Sequence, residues 1–306
     1  MILIIIHHLF QFSVSKYSLT YVMPLPTIFQ SFGYLSTSVF FLLSGYGLYL
    51  SLKRNEPIST NYIVSHISKL YIPFLFVWLM DFVICLYRGD YNVNDIGSSL
   101  ITIGLCGGGN SLWFLKEIFV IYIVAIFSFL IMKLDIQRLT TIIALTLAFV
   151  TVAVYFDLLS MWWNSVLCFP IGMFCAIKRD KIQTMLGERI IIAMIILFII
   201  SFAITIVSKS LIFPKIIIAF SMIISSIAFS ICVICLVRFC NIQNKFLDWI
   251  GKNSLIFYLS HIFLLVNLLS IGFFAIYAIV VVLGTFFISW LYANSYRKLS
   301  VINNKV

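Results

Sequence analysis

Long apolar stretches recur along almost the whole of this chain, and most are close to the length that a helix needs to cross a lipid bilayer. The 306 residues are 63% hydrophobic and 10% charged, with a mean hydropathy of +1.14. A soluble domain carries roughly a quarter charged residues. The composition therefore predicts a polytopic integral membrane protein, and the apolar stretches are too many to be one signal sequence.

A hydrocarbon core takes about 20 apolar residues per helix, and this length predicts about ten transmembrane helices. We expect all of them to be α-helical, because lipid offers no partner for backbone amides and a period-2 alternation is lacking. The last run is twice the length of one span, so we divide it at 270–272. We treat 1–306 as a single domain. The ten predicted spans are 1–12, 34–50, 70–86, 112–132, 139–156, 161–177, 190–207, 216–237, 254–271 and 273–293.

The first span is short for a full crossing, because polar residues follow it at 13–16. We therefore expect the sequence to lack about eight residues at its start, the number that a complete crossing would add.

The lysine and arginine residues alternate between the two sides of the predicted spans. Lys16, Arg88, Lys209 and Lys215 fall on one side, and Lys116 falls within a span. Because cytoplasmic loops carry the excess of both residue types, the pattern predicts that both termini are cytoplasmic. The basic residues are spread over many loops, so the net charge of +10 does not indicate nucleic-acid binding. The other side holds Lys53, Arg54, Lys69, Lys133, Arg138, Lys178, Arg179, Lys181, Arg189, Arg238, Lys245, Lys252, Arg297, Lys298 and Lys305.

Five polar residues lie in apolar surroundings: His8, Asp81, Lys116, Glu117 and His261. Ionisable groups inside a bilayer are expensive, so they mark a candidate functional site, here a polar chamber that opens outward. Counting 1.5 Å per residue places Asp81 and Lys116 at a similar depth, and we expect them to form an ion pair. Each residue could also serve only as an interhelical hydrogen-bond partner.

Neither the cysteines nor the glycines indicate a cofactor. Most of the seven cysteines lie inside spans, where thiols behave as small hydrophobic groups. The spacing of Cys232 and Cys235 matches a CxxC motif without its usual soluble context, and we predict no metal site. The glycine run 107–109, with Asn110, predicts a flexible turn.

Four segments, in order along almost the whole chain, resemble the acyltransferase 3 family of integral membrane acyltransferases. The second is the most specific, because it is similar to the family's FFxxSGxxx signature. The four segments are 2–8 (ILIIIHH), 39–47 (VFFLLSGYG), 111–115 (SLWFL) and 253–261 (NSLIFYLSH).

The resemblance implies a catalytic role for His8, as the base that activates a hydroxyl, and Glu117, a polar residue inside a predicted span, is a second catalytic candidate. A neutral imidazole suits that role, since apolar surroundings disfavour its charged form. Adjacent helical residues point about 100° apart, so we expect His7 to pack between helices while His8 faces the chamber. Glu117 could orient the base or compensate a neighbouring charge. The family's basic residue about eleven positions before this histidine would precede Met1.

The resemblance also implies a donor site for acyl-CoA near Lys53, Arg54, His66 and Lys69, whose cations suit phosphate groups. His66 stands where the family usually has arginine. These residues could equally serve only to set the topology.

The remaining candidates line the predicted chamber or pack around it. Small residues at Ser44 and Gly45 allow close approach of either a ligand or another helix. Trp113 suits the chamber, and it also suits an anchor at the headgroups. Tyr258 and His261, three residues apart, share one face of a helix.

The sequence therefore predicts a membrane O-acyltransferase that binds no cofactor. It would transfer an acetyl group from cytosolic acyl-CoA (acetyl-CoA) to a hydroxyl of a cell-surface or lipid-linked glycan, at the cell membrane. The alternative is a multi-spanning transporter or flippase, in which the same charges would form a substrate path. A third possibility is a structural membrane protein without activity.

Overall fold

The computed structural model describes residues 1–22, 24–89, 93–105, 112–185, 188–211, 213–241, 243–268 and 270–303. Within these ranges the secondary structure is helical, with one short 3-10 helix at Ser160–Trp162 and no strand. The predicted turn at 107–110 and Cys106 lie outside the described residues. The α-helices are α1 (Ile2–Ser15), α2 (Leu25–Arg54), α3 (Thr60–Arg88), α4 (Val93–Ile101), α5 (Trp113–Ile131), α6 (Asp135–Tyr155), α7 (Cys168–Ile177), α8 (Arg179–Met185), α9 (Glu188–Ser210), α10 (Lys215–Phe239), α11 (Lys245–Lys252), α12 (Ser254–Asn267) and α13 (Phe274–Asn303).

Seven of the described helices are long and apolar enough to cross a membrane, namely α2, α3, α5, α6, α9, α10 and α13. The pair α11 and α12 would make an eighth span, although it is bent by 74° at its break. Both α1 and α7 are apolar but shorter. A helix thus lies at each of the ten predicted segments, and the predicted break between α12 and α13 is confirmed.

The predicted span 161–177 overestimates its helix more than any other, because α7 begins only at Cys168. Polar side chains just before it are engaged elsewhere. Ser165 Oγ lies 2.9 Å from the carbonyl oxygen of Tyr34 and 3.0 Å from Thr37 Oγ1, both on α2. Short polar side chains that find such partners favour turns over helix. The helix is therefore delayed, and α7 has 10 residues.

The chain divides into two compact units. The first comprises Met1–Thr20, Val64–Lys116 and Gln243–Val306, and the second comprises Tyr21–Ile63 and Glu117–Ile242. The family resemblance treats 1–306 as one domain, and this stays a prediction.

In the first unit, α12 packs along α13 and α1 contacts both. Tyr277 of α13 donates a hydrogen bond to the carbonyl oxygen of Leu265 on α12 at 3.0 Å. Tyr17, just after α1, donates to the carbonyl oxygen of Ile271 at 2.7 Å, and its ring lies 5.7 Å from that of Tyr277. The short helix α1 is therefore held in place at its C-terminal end by tyrosine side chains.

In the second unit, α2 packs against α7 and α10, and α9 packs against α10. Two glycines bring α2 and α7 into backbone contact. A Cβ atom at Gly45 would collide with the carbonyl oxygen of Phe169, and one at Gly172 would collide with that of Leu42. Small residues at both positions are what allows helices to approach this closely.

Candidate active site

Two histidine rings meet in the first unit, His8 from α1 and His261 from α12. Their ring centroids lie 5.3 Å apart, with the planes tilted by 37°. His261 is fully buried, whereas His8 is half-buried. His7, next to His8, has its ring centroid 4.9 Å from that of His8. The structure therefore brings together the two histidines that the sequence singled out from opposite ends of the chain.

The hydrogen bonds of these rings determine where each neutral imidazole carries its proton. His261 Nδ1 lies 3.1 Å from the carbonyl oxygen of Phe257, and His8 Nδ1 lies 3.2 Å from Gln11 Oε1. Both oxygens only accept, so each Nδ1 carries the proton and each Nε2 carries a lone pair. His261 Nε2 has no hydrogen-bond partner among the described residues. Each ring can thus accept a proton at Nε2 while keeping its hydrogen bond at Nδ1.

An aromatic wall continues from the histidine pair. The ring of Tyr258 lies 5.5 Å from that of His261, as expected for residues one helical turn apart on α12. Phe114, at the start of α5, contacts Tyr258 edge to face at 5.2 Å, and Trp113 contacts Phe114 at 6.0 Å. Tyr258 and His261 therefore lie at the histidine pair, and Trp113 lies two side chains farther along the wall.

Asp81 has a different partner from the one that we predicted. It is fully buried on α3 and accepts a hydrogen bond from Asn267 Nδ2 of α12 at 2.7 Å. Arg88 Nη1 donates to Asn267 Oδ1 at 3.2 Å. No ion pair joins Asp81 to Lys116 in the described part of the chain, and Lys116 is half-buried. A neutral amide costs less to bury than an ammonium group, which reaches toward water on its long stem.

We expect Asp81 and Asn267 to be energetically coupled. Asn267→Ala removes a donor from a buried carboxylate, which costs about 1–3 kcal/mol in the free energy of unfolding. The double variant with Asp81→Ala should lose less than the sum of the single variants, with an interaction energy of about 0.5–3 kcal/mol. Equilibrium unfolding in mixed detergent micelles measures this cycle. In the matched cycle of Asp81→Ala with Lys116→Ala, the losses in the free energy of unfolding should add. Coupling between these two residues would instead support the predicted ion pair.

Glu117 belongs to the second unit, so its proximity to His8 stays a prediction. Its side chain is 7% exposed, and neither carboxyl oxygen has a hydrogen-bond partner within the described ranges. A buried carboxylate without a partner is costly, and a buried polar group in that state is a candidate for a catalytic role or a ligand contact. The catalytic role of Glu117 stays a prediction.

The predicted donor residue Lys53 is engaged in ion pairs. Its Nζ lies 3.1 Å from Asp135 Oδ1 and 3.3 Å from Glu56 Oε2. Arg138, whose side chain is 4% exposed, contacts the same two carboxylates at 3.0 and 2.5 Å and lies 4.0 Å above the ring of Phe129. Asp135 also begins α6, where a negative charge is favourable. This cluster ties the end of α2 to the start of α6 in the second unit, and it leaves Lys53 less available for a phosphate.

The other predicted donor residues are more accessible. Arg54, at the end of α2, is exposed and forms no ion pair with any described residue. On α3 of the first unit, Lys69 is exposed and His66 is half-buried. Arg54 and Lys69 are therefore the predicted cations that remain open to an anionic ligand.

Gly45 and Ser44 face the interior of the second unit. Gly45 is buried against the backbone of α7, which favours the helix-packing interpretation over a ligand contact. Ser44 forms a hydrogen bond with Tyr122 of α5. The signature segment thus ties α2 to both α5 and α7.

The sequence analysis missed four residues that shape these sites. Gln11 lies three positions after His8, and this spacing on a helix could have revealed it. Asn267 could have been found as an amide inside an apolar span. Glu56 follows Lys53 by three residues, a spacing that could have revealed their ion pair, whereas nothing local indicates that Asp135 meets Lys53.

Comparison with known proteins gives one result. A family model described as an acyltransferase domain, Acyl_transf_3, matches residues 1–294. No curated protein and no solved structure matches the chain.

Proposed function

Because the chain belongs to this acyltransferase family, and is therefore a multi-pass membrane acyltransferase, we propose that it is an O-acetyltransferase of the cell membrane. The donor is a cytosolic acyl-CoA, namely acetyl-CoA. The acceptor is a hydroxyl of a cell-surface or lipid-linked glycan. The observation that carries the proposal is the His8–His261 pair, in which each ring offers a lone pair at Nε2.

The chemistry assigned to this pair is general-base catalysis. His8 Nε2 takes the proton of the acceptor hydroxyl while the oxygen attacks the thioester carbonyl carbon. A C–O bond forms, the C–S bond breaks, and the coenzyme A thiolate leaves. The protonated His8 returns its proton to that thiolate, so that the ring is neutral again. His8 is the suitable base because it is half-buried and can reach substrate, whereas His261 is fully enclosed.

The proposed topology has ten helical segments in the membrane and cytoplasmic termini. Support comes from the helices found at all ten predicted segments. It also comes from the fifteen basic residues in the loops on one predicted side of the membrane. In this arrangement Arg54 of the second unit and Lys69 of the first unit both face the cytoplasm, where each is available to phosphates of the donor. A short α1 and a short α7 cross only part of the bilayer by themselves.

Acyl transfer can be tested with inside-out membrane vesicles that contain the protein and receive acetyl-CoA labelled in the acetyl group. We expect the label to appear on glycan, and we expect no transfer in vesicles that carry His8→Ala. Label that crosses the membrane but stays as free solute would indicate a carrier. Transfer from longer acyl-CoA but not from acetyl-CoA would overturn the assignment of the acetyl donor.

A further inference from the structure

The second unit contains a cavity that the proposed chemistry does not use. It has a volume of about 310 Å³ and lies among the C-terminal parts of α2, α7 and α10 and the start of α8. This is at the lower end of the range for small-molecule sites. The backbone contact at Gly45 and Gly172 lies just before it, since Cys175 on the cavity wall follows Gly172 by almost one turn of α7.

Most of the cavity wall is apolar, and part of it is exposed on the surface of the helices. Leu43 of α2 lines it and is 50% exposed, and Ile231 and Ile234 of α10 line it and are half-buried. On helices long and apolar enough to span a bilayer, exposed aliphatic side chains face lipid. A hydrocarbon chain therefore fits this wall better than a polar solute does.

Two guanidinium groups lie at one end of the same cavity. Arg179 is the first residue of α8, and Arg238 is in the last turn of α10. Both are exposed, and neither forms an ion pair with any residue that the structure describes. Arginine recognises phosphate through paired hydrogen bonds. Tyr46, also on the wall, offers a hydroxyl, and Asp180 is the acidic neighbour of Arg179 in the sequence.

We propose that this cavity binds an anionic phospholipid. One acyl chain packs against the aliphatic wall, and the phosphate lies between Arg179 and Arg238. The site goes beyond acyl transfer, because it does not include His8 or the predicted donor residues. The argument for a lipid is the combination of an apolar wall on membrane-spanning helices with two arginines at one end that form no ion pair with a described residue. In the proposed topology that end is cytoplasmic, so the lipid comes from the inner leaflet.

Two cysteines on the cavity wall, Cys175 and Cys235, report on its occupancy. The purified full chain is incubated in detergent with phosphatidylglycerol and treated with N-ethylmaleimide, and labelling of each cysteine is quantified by peptide mass spectrometry. Labelling of Cys175 should slow about tenfold when the lipid is present at about ten times its dissociation constant. The exposed Cys240 should react at an unchanged rate.

Matched variants separate the effect of the two arginines on lipid protection from the effect of positive charge in general. Arg179→Gln combined with Arg238→Gln should lose the protection, whereas Lys178→Gln combined with Lys133→Gln should keep it. Should the arginine variant fail to fold, Ile234→Trp fills the apolar wall without changing charge, and it too should abolish protection by the lipid.

Three results would overturn the proposal. Equal protection by phosphatidylcholine would show that the arginines do not select an anionic headgroup. Protection by inorganic phosphate or coenzyme A alone would identify a soluble ligand. A Cys175 labelling rate that no lipid alters would show that the cavity holds none.

Discussion

Replacing His8 with alanine should lower the rate of acyl transfer by about 10²- to 10⁴-fold, the usual contribution of a general base. The physical reason is the loss of the Nε2 lone pair of a half-buried ring, which the proposed mechanism uses as the base. The measurement is transfer of labelled acetyl groups in inside-out vesicles, normalised to the amount of folded protein. Added imidazole should restore part of the rate, because it replaces the missing base without altering the fold.

His7→Ala is the matched control for this experiment. The two histidines are adjacent on α1, and the ring of His8 lies against that of His261. His7→Ala should therefore retain most of the activity. Equal losses in the two variants, or a loss in His8→Ala that tracks protein amount, would remove His8 from the catalytic role.

Gly45→Ala should strongly destabilise the second unit. The added Cβ would overlap the carbonyl oxygen of Phe169, and a contact with backbone cannot be relieved by a change of side-chain rotamer. Overpacking costs about 1–3 kcal/mol or more, which outweighs the gain of about 1 kcal/mol when alanine replaces glycine inside a helix. The measurement is the fraction of monodisperse protein that survives heating in detergent.

Gly47→Ala provides the control on the same helix. Nothing lies within 4 Å of a Cβ at Gly47, so this change should leave stability equal or raise it by up to about 1 kcal/mol. Gly172→Ala, on the other side of the contact, should behave like Gly45→Ala. A stable Gly45→Ala protein that has lost acyl transfer would instead assign Gly45 to a substrate pocket.

Much of the architecture could be predicted because membrane insertion depends on local properties. The length and polarity of each apolar run predict a helix, and a helix lies at each of the ten segments. The spacing of Tyr258 and His261 likewise predicts a shared face, because helical periodicity is local. The delayed start of α7 escaped this reasoning, because Ser165 is engaged by α2, which lies far away in the sequence.

The partners of the polar side chains could not be predicted from depth in the membrane or from charge alone. Counting residues along each span placed Asp81 and Lys116 at a similar depth. A hydrogen bond also requires that the two side chains point toward each other around their helix axes, and the side chain of Asn267 points toward Asp81. Charge alone made Lys53 a candidate for phosphate binding, yet it pairs with Glu56, three residues later, and with Asp135, which the folded chain brings to it.

The amino-acid sequence alone was enough to establish an all-helical membrane protein and to select His8 and His261, since hydrophobic length, charge bias and motif spacing are properties of neighbouring residues. Which side chains meet depended on the folded chain. The pairing of His8 with His261, of Asp81 with Asn267 and of Gly45 with Phe169 joins residues from separate helices, and only their packing brings those helices within reach.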